Sequence, residues 1–501
     1  MLPESPIRHV VLLMLENHSF DQMLGCLKSI NPDLDGVDPD HPRFNKDRNG
    51  RLFYQKETDE FQTRHDPNHE LDHVAVQLKD GNSGFVLDFS QVYPWSKASE
   101  RQEIMGYYGL GKLPALHALG RNFTVCDRWF SSLPGPTWPN RFFALSGTSS
   151  GQVDMPETTW QELNPLWYTH QWQRTIFDLL NENGRRWKVY FYDFPNSWLL
   201  LRQVSPGNMA QYHHIDKFFG EDAPADEASF PDFVFIEPKY FGQDQNDDHP
   251  PHNIIKAEKL VADVYNAIRS NEDLWNSTLL VIAFDEHGGF YDHVVPPAAE
   301  PPDGKQAKYA FNQLGVRVPA LLVSPWVGQR AEHTVFDHTS VLKYLIEKWS
   351  LGPPNALGNR VAKANSIAVA LRESEFRENM LQFIRVPYQK LIPRHPEREK
   401  EESNAHQHGM HLFARYLEQQ TGDSRFQKAQ KSPGAWAKLT KTFGQWLITA
   451  GNSLTGNFER IQARQVADLT ELVCKLAARD LTVSFPDEPS GPKPAESESV
   501  I

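Results

Sequence analysis

Cysteine is nearly absent from this chain: Cys26, Cys126 and Cys474 are the only three in 501 residues, far apart and in no ligand spacing. That excludes a disulfide framework and a thiolate zinc site, and leaves each as a small packed residue. No apolar run reaches the roughly 18 residues that a membrane-spanning helix needs. A basic excess is missing too, since 51 Lys and Arg face 64 Asp and Glu for a net charge of −13. This argues against an electrostatic footprint for nucleic acid and confines any attraction to anionic lipid to a local basic patch. The N-terminus lacks the basic, apolar and small-residue order of a Sec signal. The expectation is a cytoplasmic protein, or one exported by a route without an N-terminal Sec signal. Internal repeats are not found, and nothing fixes an oligomeric state.

What is present begins at once. Ile7 to Leu15 is an almost unbroken apolar run that stops at Glu16-Asn17-His18-Ser19-Phe20-Asp21. Such a run predicts a strand buried on both faces of a parallel sheet, followed by a helix that Asn17 or Ser19 caps. Glu16 and Asn17 then stand at the carboxyl end of a central strand, where open α/β sheets place their sites. Two oxygen side chains there suit a hard divalent cation. A capped strand-to-helix turn with a surface glutamate accounts for them equally well.

Residues 31–70 read as a long surface loop that ends in Arg64-His65-Asp66-Pro67-Asn68-His69-Glu70. Its histidines either point at one spot or belong to a solvated turn. In Leu133-Pro134-Gly135-Pro136-Thr137-Trp138-Pro139-Asn140-Arg141, a proline opens a helix that Gly147 can stop. Thr137 falls at its N-terminus, as a plain cap or beside a natural phosphate site. Asn140 and Arg141 either fix the loop or touch the phosphate.

From 172 to 349, helical periodicity alternates with apolar runs at 187–192, 232–237, 279–284 and 318–323. This predicts an α/β fold, a mostly parallel central sheet with helices on both faces. Two runs lead into polar clusters, Asn246-Asp247-Asp248-His249-Pro250-Pro251-His252 and Asp285-Glu286-His287-Gly288-Gly289-Phe290-Tyr291-Asp292-His293. Acids placed twice at one edge of a sheet repel unless a cation sits between them, which tips the balance toward a metal site. Residues 296–312, rich in Pro and Ala, suggest a mobile rim or lid. The expected domains are a catalytic one over 1–370, a helical region over 371–485 with stripes such as Trp436, Leu439, Phe443 and Trp446, and a disordered tail over 486–501.

These clusters, in this order, resemble the bacterial phospholipase C and acid phosphatase family of phosphoesterases, related in fold to alkaline phosphatases. The matching stretches are the Glu16–Asp21 motif, His65-Asp66-Pro67-Asn68-His69, Thr137-Trp138-Pro139-Asn140-Arg141, Asp248-His249-Pro250-Pro251 and Asp285–His293. The resemblance implies one divalent ion held by Glu16, Asn17, Asp285, Glu286 and the Thr137 oxygen. It also implies His69 and His249 facing the phosphoryl group, with His65, His252 and His338 as further candidates, and a phospho-threonine intermediate. With no cysteine among the ligands, Ca²⁺, Mg²⁺ or Mn²⁺ is favoured and Zn²⁺ is admissible. Gln22 stands where relatives often carry His, so that position is not expected to serve the metal. The helical tail is unlike the β-rich C-terminal modules of secreted haemolytic members.

The implied activity is a metal-dependent phosphodiesterase of phospholipase C type. An acid phosphatase acting on monoesters is the alternative, and a non-catalytic binding module on the same fold is the second. The implied partner is a phosphate ester, with phospholipid at a membrane surface as one case. Phe290, Tyr291 and the 296–312 rim are the expected seat of an apolar second alcohol.

Overall fold

The apolar run at the N-terminus becomes β1 (His9–Leu15), and every one of its residues is buried. The computed structural model describes residues 5–155 and 173–387, apart from 194, 204–205, 242–243, 306–307, 373 and 379. After β1 come the short strands β2 (Phe44–Lys46), β3 (Leu52–Tyr54), β4 (Lys56–Thr58), β5 (Gly106–Tyr108), β6 (Thr124–Cys126) and β7 (Trp129–Phe130). Then follow β8 (Trp187–Phe191), β9 (Tyr212–His214), β10 (Phe233–Ile236), β11 (Thr278–Phe284), β12 (Ala320–Val323), β13 (Ala331–Glu332) and β14 (Phe336–Asp337). Eight of them form the main sheet in the order β13-β6-β12-β11-β1-β10-β8-β9.

The sheet is mostly parallel, and of its eight strands β12 alone runs against its neighbours. Total burial of β1 and β11 means both faces are covered. Helices Ile254–Ser270 and Thr339–Trp349 contribute their apolar stripes to the same core. Register decides what happens at the carboxyl edge. Leu15 pairs with Phe284, so Glu16 and Asp285 leave the sheet side by side. The two apolar strands therefore force their polar sequels together.

Three expectations change. Residues 31–70 are not all loop, because β2 and β3 form a hairpin and β4 pairs with β5. Strands of three residues with one inward side chain carry no readable period. The 296–312 stretch is not a free lid. Its Ala299 N–H donates to the Asn312 carbonyl at 2.9 Å, and the buried Arg360 guanidinium donates to the carbonyls of Glu300 and Phe311. Packing also runs past residue 370, where Met380 and Ile384 are buried and the Ile384 N–H donates to Asn266 Oδ1 at 2.8 Å. From 388 onward, the expected helical region and the expected disordered tail lie outside the described residues. Among those described, no helix is long and apolar enough to cross a membrane.

Gly288 marks where the two strand-end loops press together. Its φ is +61°, and a Cβ there would lie 2.2 Å from the Asn17 carbonyl oxygen. Gly288→Ala is therefore expected to cost more than about 1 kcal/mol in chemical denaturation, with a loss of whatever the Asn17 turn holds in place. Unchanged stability would show that the contact relaxes freely.

Candidate active site

Glu16, Asn17, Asp285 and Glu286 are all fully buried at the ends of β1 and β11. Backbone amides hold them in place. Asp285 Oδ1 accepts the N–H of Glu286 at 2.7 Å and of Asn17 at 3.3 Å, while Glu286 Oε2 accepts the N–H of Gly288 at 2.7 Å. Asn17 takes a left-handed φ of 63°, a conformation that asparagine tolerates better than most residues. Ser19, not Asn17, caps the short helix that follows, accepting the Gln22 N–H.

Thr137 opens a ten-residue helix, Thr137–Ser146, that Gly147 ends at φ 75° and that no side chain caps at its start. Its Oγ1 donates to Asn17 Oδ1 at 3.5 Å. The uncapped first turn leaves amide dipoles for an anion. Asn140 belongs to the loop before the helix, since its side chain clasps Leu133, Gly135 and Pro136. Arg141, one turn beyond Thr137, is also internal. Its Nε donates to Asp285 Oδ2 at 2.8 Å and its Nη2 lies 3.3 Å from Glu16 Oε1. It is a counter-ion for the carboxylates rather than a phosphate contact.

One guanidinium does not balance the site. Burial pushes Glu16 far up and Asp285 up to about 7, with Arg141 opposing and neighbouring acids, among them Asp247 beside Glu16, reinforcing. Glu286 is held below its usual range, because His69 and His287 outweigh the effect of burial. Among the described residues, the buried Glu286 Oε1 and Asp247 Oδ2 accept no hydrogen bond. Surplus negative charge on an all-oxygen donor set fits a hard divalent cation. Of the five residues expected to hold it, Glu16, Asn17, Asp285 and Glu286 stand at the two strand ends and Thr137 meets Asn17 through its hydroxyl.

The histidines divide into two groups. His69 donates Nδ1–H to the Pro67 carbonyl at 2.9 Å, which turns Nε2 toward Asn17 Nδ2 at 3.4 Å and Glu286 Oε1 at 3.8 Å. Burial opposes its charge, yet Glu286, Asp66 and Glu70 lift its pKa to about 9. His249 is fixed likewise, with Nδ1 on the Pro250 carbonyl at 2.6 Å and Nε2 3.9 Å from Asp66 Oδ2. The two rings meet edge to face, 5.9 Å apart. His252 instead donates to Asp247 Oδ1 at 2.7 Å, one shell behind. His65 is elsewhere, stacked on Tyr93 at 4.6 Å with its Nε2 3.5 Å from Glu100. His338 donates Nε2–H to the Asp285 carbonyl at 2.7 Å, which steadies the strand end.

Gln22 lies behind the site with its Oε1 2.7 Å from His18 Nδ1. Phe290 and Tyr291 do not seat a substrate alcohol. Phe290 stacks on His18 at 5.1 Å and Tyr291 packs edge to face on Phe85, both buried.

A second ionic cluster was not singled out by sequence. Asp21, Asp292 and His293 bring ligand atoms within 4.8 Å of one another. Arg317, fully buried, already fills that space, donating to Asp21 Oδ1 at 2.9 Å and to Asp292 Oδ1 at 3.1 Å. His293 bridges Asp21 and Asp35 at 2.9 Å each, and those acids outweigh burial to lift it to about 9. With Arg317 and a charged His293, the cluster is closed on itself without a metal. Nothing in the spacing of Asp21 and Arg317 announces their contact.

The phosphoesterase family model matches residues 7–352. The chain belongs to that family. Among curated phosphoesterases it is similar to non-specific phospholipase C3 of Arabidopsis thaliana, 36% identical over 64% of this chain and 64% of that protein. Non-specific phospholipase C6 of the same plant is 34% identical over 68% and 67%. Phospholipase C B of Mycobacterium tuberculosis is 28% identical over 70% and 74%. The match takes in just under two thirds of the length of the first of these. A solved alkaline phosphatase superfamily protein from Vibrio parahaemolyticus overlaps 52% of this chain and 64% of its own at 14% identity, with a TM-score of 0.30. An overlap so loose carries no argument.

The Arg317 cluster generates a pH prediction. The folded pKa of His293, about 9, lies above the unfolded value of about 6.5. Its stabilisation is therefore complete below the unfolded value and is lost as pH rises through the folded one. His293→Gln should lower unfolding free energy by about 2 kcal/mol or more near pH 6 and by less near pH 9.5. An equal loss at both pH values would rule out a charged His293.

Proposed function

We propose that this phosphoesterase is a metal-dependent phosphodiesterase of phospholipase C type that works through a phospho-threonine at Thr137. One observation supports it above the others: Glu16-Asn17 and Asp285-Glu286 leave two adjacent strands side by side, and the Thr137 hydroxyl, at the uncapped start of a helix, lies 3.5 Å from Asn17 Oδ1. The names of its relatives point to phospholipid as the substrate class. A cation among these oxygens would supply positive charge beside the Thr137 hydroxyl and the phosphoryl oxygens.

The chain's own groups account for the rest. Thr137 Oγ1 forms a bond to phosphorus as the bond from phosphorus to the leaving oxygen breaks, and the hydroxyl proton replaces the one that a histidine Nε2 gives to the leaving alkoxide. The amides of the first helical turn hold the equatorial oxygens, where charge collects. His69 and His249 each have Nδ1–H tied to a carbonyl, so Nε2 is the atom that gives the leaving alkoxide its proton. Water then attacks phosphorus, Thr137 is released, and a phosphorylated headgroup departs. Arg141 and His338 keep Asp285 in place while this happens.

Thr137→Ala should lower kcat by about 10⁴ or more with the fold unchanged, while Thr137→Ser keeps part of it. Turnover within a few-fold of wild type for the alanine variant would remove the nucleophile role.

A second comparison separates this reading from the phosphatase one. A monoester carries about two negative charges near neutrality and a diester one. A centre already crowded with carboxylates should favour the diester. Bis-aryl phosphate is expected to be cleaved faster than aryl phosphate at neutral pH, and the reverse order would replace the phospholipase reading by the phosphatase one.

A further inference from the structure

The β2–β3 hairpin is amphipathic in an unusual sense. Its inward residues do structural work: Asn45 Oδ1 accepts the Phe85 N–H at 2.8 Å, and Phe53 is buried beside Phe85 and Tyr291. Its outward face carries Phe44, Leu52 and Tyr54, which are 48%, 42% and 45% exposed. Register sets Phe44 opposite Tyr54, with ring centroids 5.5 Å apart, and Lys46 opposite Leu52. Trp95, at 73% the most exposed large apolar residue described, is fastened to the same end of the molecule. Arg101 makes that link, donating to the Pro94 carbonyl and to Asp47 in the hairpin turn.

The hairpin's own stretch of sequence carries charge opposite in sign to that of the whole chain. Between 43 and 56 stand Arg43, Lys46, Arg48, Arg51 and Lys56, all exposed. The one acid in that stretch, Asp47, is buried and paired with Arg101 at 2.7 Å. A chain of net charge −13 has thus collected cations around a cluster of exposed aromatic and aliphatic side chains. Exposed apolar groups ringed by cations match the boundary of an anionic bilayer, where rings sit among headgroups and Lys and Arg meet phosphates. Solubility requires no such combination.

The hairpin also stands near the site. It rests on the helix Phe85–Val92, whose Phe85 ring meets His287 edge to face at 5.8 Å, next to Glu286. A surface held there would lie on the side of the sheet where the strand-end loops gather.

We infer that the outer face of the β2–β3 hairpin, with Trp95, docks this protein on a membrane surface rich in anionic phospholipid. The inference rests on the phospholipase reading for its purpose, but not for its chemistry. It is tested on the full chain with Phe44→Ser/Leu52→Ser and Lys46→Glu/Arg48→Glu variants. The first measurement is co-sedimentation with phosphatidylcholine vesicles, with and without phosphatidylglycerol, and the second is turnover of a water-soluble phosphate diester. Wild type should bind the anionic vesicles and lose binding as salt rises. Each double variant should bind about ten-fold more weakly while soluble-diester turnover and thermal midpoint stay as in wild type.

Equal binding by variants and wild type, or no vesicle binding by wild type, would overturn the inference. So would light scattering that shows a wild-type dimer which the variants break, since the face would then belong to a second copy. Because vesicle binding is read without turnover, a failed activity assay counts against the phosphodiesterase reading alone.

Discussion

Four buried carboxylates, Glu16, Asp247, Asp285 and Glu286, crowd the carboxyl edge of the sheet, and the guanidinium of Arg141 pairs with only two of them, Glu16 and Asp285. Little else at the carboxyl edge makes sense apart from that imbalance. Charges taken out of water are costly unless compensated, and here the compensation is built in layers. Three backbone amides donate to Asp285 and Glu286, two of them to Asp285 Oδ1 and one to Glu286 Oε2. Arg141 covers one side of Glu16 and Asp285, and His69 approaches Glu286 from another. Glu286 Oε1 and Asp247 Oδ2 are left without a hydrogen bond among the described residues.

The fold exists to bring these groups together, and it does so through the register of two apolar strands. Because β1 and β11 run parallel and end level, one turn after each suffices to set Glu16 against Asp285. The Gly288 backbone then lies close enough to the Asn17 carbonyl that no side chain fits between them. The second cluster, around Arg317, does a different job. It ties the helix after β1 to the 292–293 loop and to Asp35, with its charges satisfied internally.

Much of this could be read before any coordinates. β1 and β11 are continuous apolar runs, and runs of that kind fix a buried parallel strand whatever the neighbours. The Thr137 helix was legible because Pro139 and Gly147 bracket it. Other features depend on partners distant in the chain. The direction of β12 is not written in Ala320–Val323, and the hairpin strands β2 and β3 are too short to show alternation. Phe290 and Tyr291 look available after two glycines, yet His18 and Phe85 cover them. His65 shares a motif with His69, but Tyr93 and Glu100 hold it away. Arg141 reads as a phosphate contact or a loop brace, and becomes a counter-ion only once Asp285 is beside it.

The most direct test of the central claim reads stability, not turnover. Protein stripped with a chelator is titrated with Mn²⁺ while the thermal unfolding midpoint is followed, in wild type and in Glu286→Gln. A cation that binds the folded chain alone must raise the midpoint with concentration, by roughly 5 °C once the metal is in hundred-fold excess over its dissociation constant. The account predicts that rise in wild type and a much smaller one in the variant. A flat midpoint for wild type up to millimolar metal would mean that Arg141 and His69 balance the carboxylates by themselves.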